Sequence, residues 1–530
     1  MLIGSVILYL AVTIAIGLWA AKRVHDFKDY VVAGRSLPLY MNAATVFATW
    51  FGAETVLSVS AEFAKNGMGS IIADPFGSSF CLVIVAVFFA RAFYRMDLLT
   101  IGDFYRKRYG RSMEIGTSVV IAISYLGWTA AQLTALGLAF STLSGGVISL
   151  QWGIVLSALV VLAYTVWGGM WSVALTDLFQ SVMIIAGVSI IAWFVGDMAG
   201  GAISLQWGIV LSALVVLAYT VWGGMWSVAL TDLFQSVMII AGITIIAWFV
   251  GDMAGGAGKV VAAAADAGKF EFWPKGGSKE WLYFFTAWVT LALGSIPQQD
   301  IFQRVTSAKN ERTAILGTLL GGVIYFTFAF VPIFIVFAAL MIDPSLGKLL
   351  SAEDAREMQG ILPSFILGHT PMWVQVLFFG ALLSAILSTA SGAIIAPTSL
   401  VTENVIKPFY PGMSDRRFLV TLRAVLVAFT AAALIFALLS KKTMYDMIQN
   451  AYTVTLVAAF VPLAAGIFWK RASNAGAIVS ALSGLAGWFA VEWFVDNPAV
   501  PSPLVGLAFS LVGMVVGSHV PRPVRAHAHR

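Results

Sequence analysis

Two stretches of this sequence carry polar side chains inside otherwise apolar runs, where a polar group or a broken helix is costly and function is the default reading. The first is Ala48-Thr49-Trp50-Phe51-Gly52-Ala53-Glu54-Thr55. Glu54 falls near the middle of an apolar segment over 40–62. Gly52, between Thr49 and Thr55, is a place for a helix to unwind and present carbonyl oxygens to a cation. A glutamate bonded to a neighbouring helix is the competing structural role. The second stretch is Ser384-Ala385-Ile386-Leu387-Ser388-Thr389-Ala390-Ser391-Gly392. Hydroxyls at 384, 388 and 391 share a helix face by i, i+3, i+4 spacing, and Thr389 adjoins it. Hydroxyl and carbonyl oxygens suit a hard, weakly held cation such as sodium, and the lack of a carboxylate cage speaks against calcium. Small hydroxylated residues also pack helices together, so this stretch taken alone leaves both roles open.

Other polar residues are less specific. Gln132 with Trp128, and Pro297-Gln298-Gln299-Asp300, could line a solute path or serve as interfacial and packing groups. Asp177 and Asp232 stand at the starts of two apolar segments, where capping a helix is the simpler role. The five histidines are scattered and form no HExxH metal motif. Gly255-Gly256-Ala257-Gly258-Lys259 resembles a phosphate loop only in part, because Met253 and Val260 replace the required Gly and Ser/Thr. ATP-driven chemistry is therefore unsupported. The single cysteine, Cys81, excludes a disulfide framework or a cysteine-based zinc site.

The elements that position these residues are membrane helices. Of the 530 residues, 60% are hydrophobic and 11% charged, against roughly 25% charged in an ordinary soluble domain. Apolar runs recur along the whole length, which excludes a soluble enzyme or receptor head on a single anchor. Runs long enough to span a bilayer lie near 1–21, 40–62, 70–90, 115–141, 151–170, 177–196, 206–225 and 232–251. Seven more lie near 281–297, 313–342, 371–402, 418–439, 445–469, 474–494 and 502–520, giving fifteen spans in an all-α polytopic membrane protein. Lys22 and Arg23 follow the first span and nothing basic precedes it, which predicts an uncleaved helix with its N-terminus outside. Alternating sides from there, the cytoplasmic loops carry more than twice as many Lys and Arg as the outer ones, and the C-terminus falls in the cytoplasm. The net charge of +5 is then a topology signal, and nucleic acid is not an expected partner.

Residues 148–202 recur as 203–257 with only Val188/Ile243 and Ser189/Thr244 differing, a tandem duplication at an offset of 55. Each copy holds two spans joined by a tight WGGMWSVALTD turn. An inserted pair of spans leaves every later helix in its original orientation, so such an insertion is compatible with the rest of the chain. The copies are too long and too few for a solenoid.

In order along the chain, several motifs resemble the sodium:solute symporter family. They are Asp29-Tyr30-Val31-Val32-Ala33-Gly34-Arg35, Tyr164-Thr165-Val166-Trp167-Gly168-Gly169 leading to Thr176-Asp177 (copied at 219–232), Gln303-Arg304, and Leu383-Ser384-Ala385 to Ser391. Ala48-Thr49-Trp50, Asp74-Pro75-Phe76-Gly77 and Gly294-Ser295-Ile296-Pro297 are similar to the choline-transporter branch. The resemblance implies a LeuT-like inverted-repeat bundle of about thirteen helices, with the duplicated hairpin in addition, forming one transporter domain over 1–530. It implies a sodium site built from backbone oxygens of Ala48, Phe51 and Ala385 and hydroxyls of Ser388 and Thr389. A second sodium site would use Ser391 and the Asp of the Thr-Asp turn, Asp177 or Asp232. Either hairpin, or one helix from each copy, can fill the core.

The expected activity is sodium-coupled symport of a small polar organic solute (an amino acid, a choline-like cation or a carboxylate) by a monomeric unit in the cell membrane. Trp50, Glu54, Trp128, Gln132 and Gln298 are the expected solute contacts, with Ser78 and Gln298 standing where the choline branch is aromatic. Its rivals are a channel, which needs a continuous charged or carbonyl-lined pore, a membrane enzyme, which needs a catalytic pair that Glu54 lacks in its own span, and a degenerate transporter kept as a sensor.

Overall fold

In lipid every backbone amide needs a partner within the protein, and these apolar runs meet that demand as helices. A computed structural model describes residues 37–163, 165–166 and 224–519, without the side chains of 224–235, 237, 238, 384, 388 and 391. The expected spans at 1–21 and 177–196, most of that at 206–225, and Asp177 lie outside the described residues.

The helices in chain order are α1 (Leu39–Trp50), α2 (Ser60–Asn66), α3 (Met68–Met96), α4 (Ile101–Tyr109), α5 (Arg111–Leu143), α6 (Leu150–Ala163), α7 (Gly224–Met253) and α8 (Ala257–Asp266). They continue as α9 (Ser278–Gly294), α10 (Gln299–Thr306), α11 (Glu311–Ile342), α12 (Ile361–His369), α13 (Met372–Phe409), α14 (Asp415–Leu439), α15 (Met444–Phe468), α16 (Asn474–Phe494) and α17 (Ser502–His519). Among the described residues there are eight helices long and apolar enough to cross a membrane, and no strand beyond an isolated bridge between Leu37 and Ala308. Most predicted and observed span limits agree within about four residues, but α3 ends six residues later than predicted, α13 seven later, and α7 starts eight earlier, so the turn expected before residue 232 is helical from Gly224. Local sequence sets the ends: Asn310 Oδ1 accepts from Thr313 N (2.8 Å) to start α11, and Thr100 and Asp103 cap α4 reciprocally.

Two expected spans are each two helices. The 40–62 span is α1 and α2 with a break at Phe51–Gly52, followed by a wider π turn over Glu54–Val59. The 281–297 span is α9, a turn over 295–298, and α10, so Pro297-Gln298-Gln299-Asp300 bridges two half-helices where the sequence suggests a span end. Around these, α1 packs against α11 and α7, α5 against α13 and α15, and α9 against the kinked start of α3 and against α15.

Of the duplicated segment, the described residues include the first helix of the first copy, α6, and the second helix of the second copy, α7. Both are packed into the bundle. Ile154, Ser157, Ala158 and Val161 of α6 are buried, and a Cβ on Gly153 would lie 2.5 Å from the Gly137 carbonyl of α5. On α7, Ile239, Ile243, Ile246 and Val250 form a buried helical stripe opposite the exposed Trp248. Because α7 begins at Gly224, Asp232 lies two turns inside the helix, which rules out the capping role expected for it.

Candidate functional site

The first break concentrates the candidate residues. At Phe51 the backbone leaves helical geometry (φ −84°, ψ 84°). Gly52 N donates to Trp50 O (3.1 Å) in place of the helical bond to the Ala48 carbonyl, which is thereby released. The helix resumes through Val56 N to Gly52 O (3.3 Å). A Cβ built on Gly52 would stand 3.6 Å from Thr389 Oγ1 and 3.9 Å from Gln132 Oε1, which brings α13 and α5 to the break. Both of these oxygens are buried, and neither has a hydrogen-bond partner among the described residues. Buried polar atoms in folded proteins are nearly always satisfied, so two orphans at one break fit a cation ligand shell. A cavity of about 30 Å³ opens at Thr389, lined among others by Ala48, Thr49, Trp128, Asp300 and Arg304.

Of the residues expected to hold sodium, Ala48 and Thr389 therefore share one cavity, Phe51 forms the break, and Ala385 lies one turn from Thr389 on α13. Ser388 and Ser391 are on the same helix, but their side chains lie outside the described residues, as does that of Asp232.

The expected solute contacts are more dispersed. Trp50 meets the Tyr325 ring edge-on at 6.2 Å, and Trp128 lies 5.6 Å from Tyr125 and on the cavity wall. Each tryptophan thus has a tyrosine neighbour, and among the described residues no ring contact joins the two. Gln298 donates Nε2–H to Ser124 Oγ (3.0 Å) and leaves Oε1 unpartnered among the described residues. Glu54 is partly exposed, accepts no hydrogen bond among the described residues and has Asp74 as its charged neighbour.

Three groups received no specific role from sequence: Asp74 and Arg304 entered only through family motifs, and Asp300 only as one of four residues that could line a solute path. Asp74, read from sequence only as part of a family motif, is 1% exposed and accepts from Ser78 Oγ (2.6 Å) and Tyr325 OH. An acid followed by proline inside an apolar run was the available signal. Asp300 is bonded to the Tyr125 hydroxyl, which also accepts from Asp300 N (3.0 Å). Arg304 donates Nε–H to Thr49 Oγ1 (2.9 Å), and its carbonyl accepts from Asn42 Nδ2 (2.7 Å), tying α10 to α1. Leu37 N to Ser307 O (3.1 Å) and Lys309 N to Leu37 O (2.9 Å) extend that closure. At the opposite end, Met68 N to Lys269 O (2.8 Å) and Gly69 N to Glu271 O (3.1 Å) hold residues 268–272 over the end of α2, with Phe272 on Phe76 (4.9 Å). The breaks lie between two closed ends.

Two helices interrupted at mid-bundle around an oxygen-lined cavity define the architecture of a membrane transporter. A sequence profile of the sodium:solute symporter family matches residues 30–205 and 201–484, and the chain belongs to that family. The human high affinity choline transporter 1 is 24% identical over 495 residues, spanning 91% of this chain and 75% of that protein. The sodium/glucose cotransporter of Vibrio parahaemolyticus is 24% identical over 525 residues, covering 95% and 88%. A solved Na+-coupled sialic acid symporter in a substrate-bound outward-open state shares the fold, with a TM-score of 0.71, 18% identity and 98% and 97% coverage. The protein is a multi-pass membrane transporter, not an enzyme, and sodium is its coupling ion.

Proposed function

We propose that the chain takes up a small polar organic solute by alternating access, with sodium bound at the Phe51–Gly52 break. The observation that carries this reading is the unpartnered buried Thr389 Oγ1 beside the released Ala48 carbonyl, with the unpartnered Gln132 Oε1 at the same break facing the solute site. Sodium would be held by backbone oxygens of Ala48, Phe51 and Ala385 and by the hydroxyls of Ser388 and Thr389. Neutral oxygens bind a hard monovalent ion weakly enough to release it, as a transport cycle requires. A second sodium site would use Ser391 and Asp232, because α7 is the repeat helix that packs against α13.

Ion binding couples α1 to α13 and so favours one arrangement of the bundle over the other. The solute site adjoins it, formed by Trp50, Glu54, Trp128, Gln132 and Gln298. Opening on one side requires release of the Arg304–Thr49 and Asn42–Arg304 bonds, and opening on the other requires release of the 268–272 segment. The relatives are named for choline and glucose, which supports a small organic solute. The N-terminus outside, the C-terminus inside and a monomeric unit complete the reading, with the membrane potential adding about 2.3 kcal/mol per charge per 100 mV. The transport core takes α6 and α7, one described helix from each copy.

Solute uptake into proteoliposomes under imposed gradients tests the proposal. Uptake is expected to require sodium and to fall sharply in Ser388→Ala and Thr389→Ala. Equal uptake with sodium replaced by potassium would refute it.

A further inference from the structure

Glu54 and Asp74 lie within electrostatic reach of each other inside the bundle, and Thr55, next to Glu54 in the chain, is 2.9 Å from the Tyr325 hydroxyl that donates to Asp74. Asp74 sits where the α3 backbone departs from helical geometry (φ −134°, ψ 123°). Ser78 Oγ and Tyr325 OH donate to its Oδ1, and Thr55 Oγ1 lies 3.4 Å from Oδ2 and 2.9 Å from the Tyr325 hydroxyl. Oδ1 thus accepts two hydrogen bonds, and Oδ2 has the Thr55 hydroxyl within reach. Glu54, the neighbouring acid, makes no hydrogen bond among the described residues, and neither acid forms a salt bridge there. Unpaired carboxylates in a membrane interior are costly and mark a site where something cationic arrives.

A second feature points to the same space. Tyr452 is 6% exposed, its hydroxyl makes no hydrogen bond among the described residues, and its phenol lies within electrostatic reach of Glu54, Asp74 and Asp300. The unpartnered Gln132 Oε1 is 3.9 Å from the Cβ position of Gly52, two residues before Glu54. A phenol hydroxyl within electrostatic reach of the acids and a buried amide oxygen at the break offer acceptors to a ligand that brings hydrogens. The Trp50 and Tyr325 rings, 6.2 Å apart, add π faces that attract positive charge.

We propose that Glu54, backed by Asp74 and Tyr452, binds a protonated amine of the transported solute, so that the cargo is an organic cation with N–H groups. The inference rests on the solute site proposed above and names its substrate class. Charge-assisted N–H to carboxylate bonds supply selectivity that an aromatic cage does not. A quaternary ammonium has no hydrogen to give, a sugar has no charge, and a carboxylate is repelled. One sodium ion and one monovalent ammonium bring the two acids to neutrality, so the fully loaded carrier is the form with least charge to move through the membrane.

The test is uptake of labelled butylamine, ethanolamine, choline, proline, glucose and lactate into proteoliposomes, with and without a sodium gradient. Butylamine or ethanolamine is expected to exceed choline and the neutral and anionic solutes by about 10-fold or more. Glu54→Gln should raise the amine KM by about 10- to 100-fold, while sodium-induced thermal stabilisation of the variant persists and shows that it is folded. The inference is overturned if choline, proline, glucose or lactate is preferred, if no amine is carried, or if Glu54→Gln leaves the amine KM unchanged. Amine uptake that depends on Glu54 but ignores sodium would remove the coupling proposal and keep the amine site.

Discussion

The two helix breaks at the centre of the bundle solve the same problem in opposite ways. A break frees backbone groups that lipid cannot satisfy. At the second break the protein satisfies the backbone groups itself, although the Gln298 side-chain Oε1 stays without a partner among the described residues: Gln298 N bonds Ser295 O (3.0 Å), Thr455 Oγ1 donates to Gly294 O (2.6 Å), and Asp300 N donates to Tyr125 OH (3.0 Å). Gly294 lies so close to α15 that an added Cβ would overlap the Tyr452 carbonyl oxygen. At the first break the Ala48 carbonyl is released, Thr389 Oγ1 and Gln132 Oε1 have no partner among the described residues, and a Cβ on Gly52 would meet only ordinary contacts. One break is closed by protein and the other is left open to a ligand, which is why ion binding is assigned to the first and positioning to the second.

That contrast can be broken by substitution. The largest effect is expected from Ser388→Ala combined with Thr389→Ala, which should abolish sodium-dependent uptake while leaving the protein folded, measured as uptake and melting temperature on the same preparation. Next, Gly294→Ala should destabilise the fold by about 1–3 kcal/mol through overpacking against α15, whereas Gly52→Ala should alter sodium affinity with little change in melting temperature. Equal destabilisation at the two glycines would erase the distinction. Thr455→Val should cost about 1 kcal/mol for one hydrogen bond and leave sodium affinity unchanged in a titration. The smallest effect belongs to the repeat. Deleting residues 167–221 removes one 55-residue period and joins Val166 to Trp222 in the native register; uptake should stay near the full-length value if α6 and α7 serve the transport core.

The first break was legible in sequence because a glycine between two threonines, Gly52 in an apolar run, marks a point where a membrane helix can unwind, and span limits followed from hydropathy. The second break was harder to see: a proline after an apolar run reads equally as a span end, and only α10 packing back on α1 distinguishes the two. The ties that finish the site join residues far apart in the chain, Thr49 with Arg304 and Tyr125 with Asp300, and no local spacing encodes them. Asp74 is conspicuous in sequence as an acid before proline, but its partner Tyr325 comes from α11, and only the fold reveals that it forms no salt bridge among the described residues. Which copy packs where was invisible in the sequence, since near-identical copies carry no preference; among the described residues, α6 of the first copy meets Gly137 and α7 of the second packs on α1 and α13.

Sodium binding at the first break is measured most simply by equilibrium binding of radiolabelled sodium to purified protein, comparing the native chain with Thr389→Ala and Thr455→Val. Saturable sodium binding that Thr389→Ala weakens by about 10-fold or more and Thr455→Val leaves intact is the predicted result. Binding unaffected by Thr389→Ala, or lost in Thr455→Val with the fold preserved, would place the ion elsewhere and contradict the assignment of the open break to sodium.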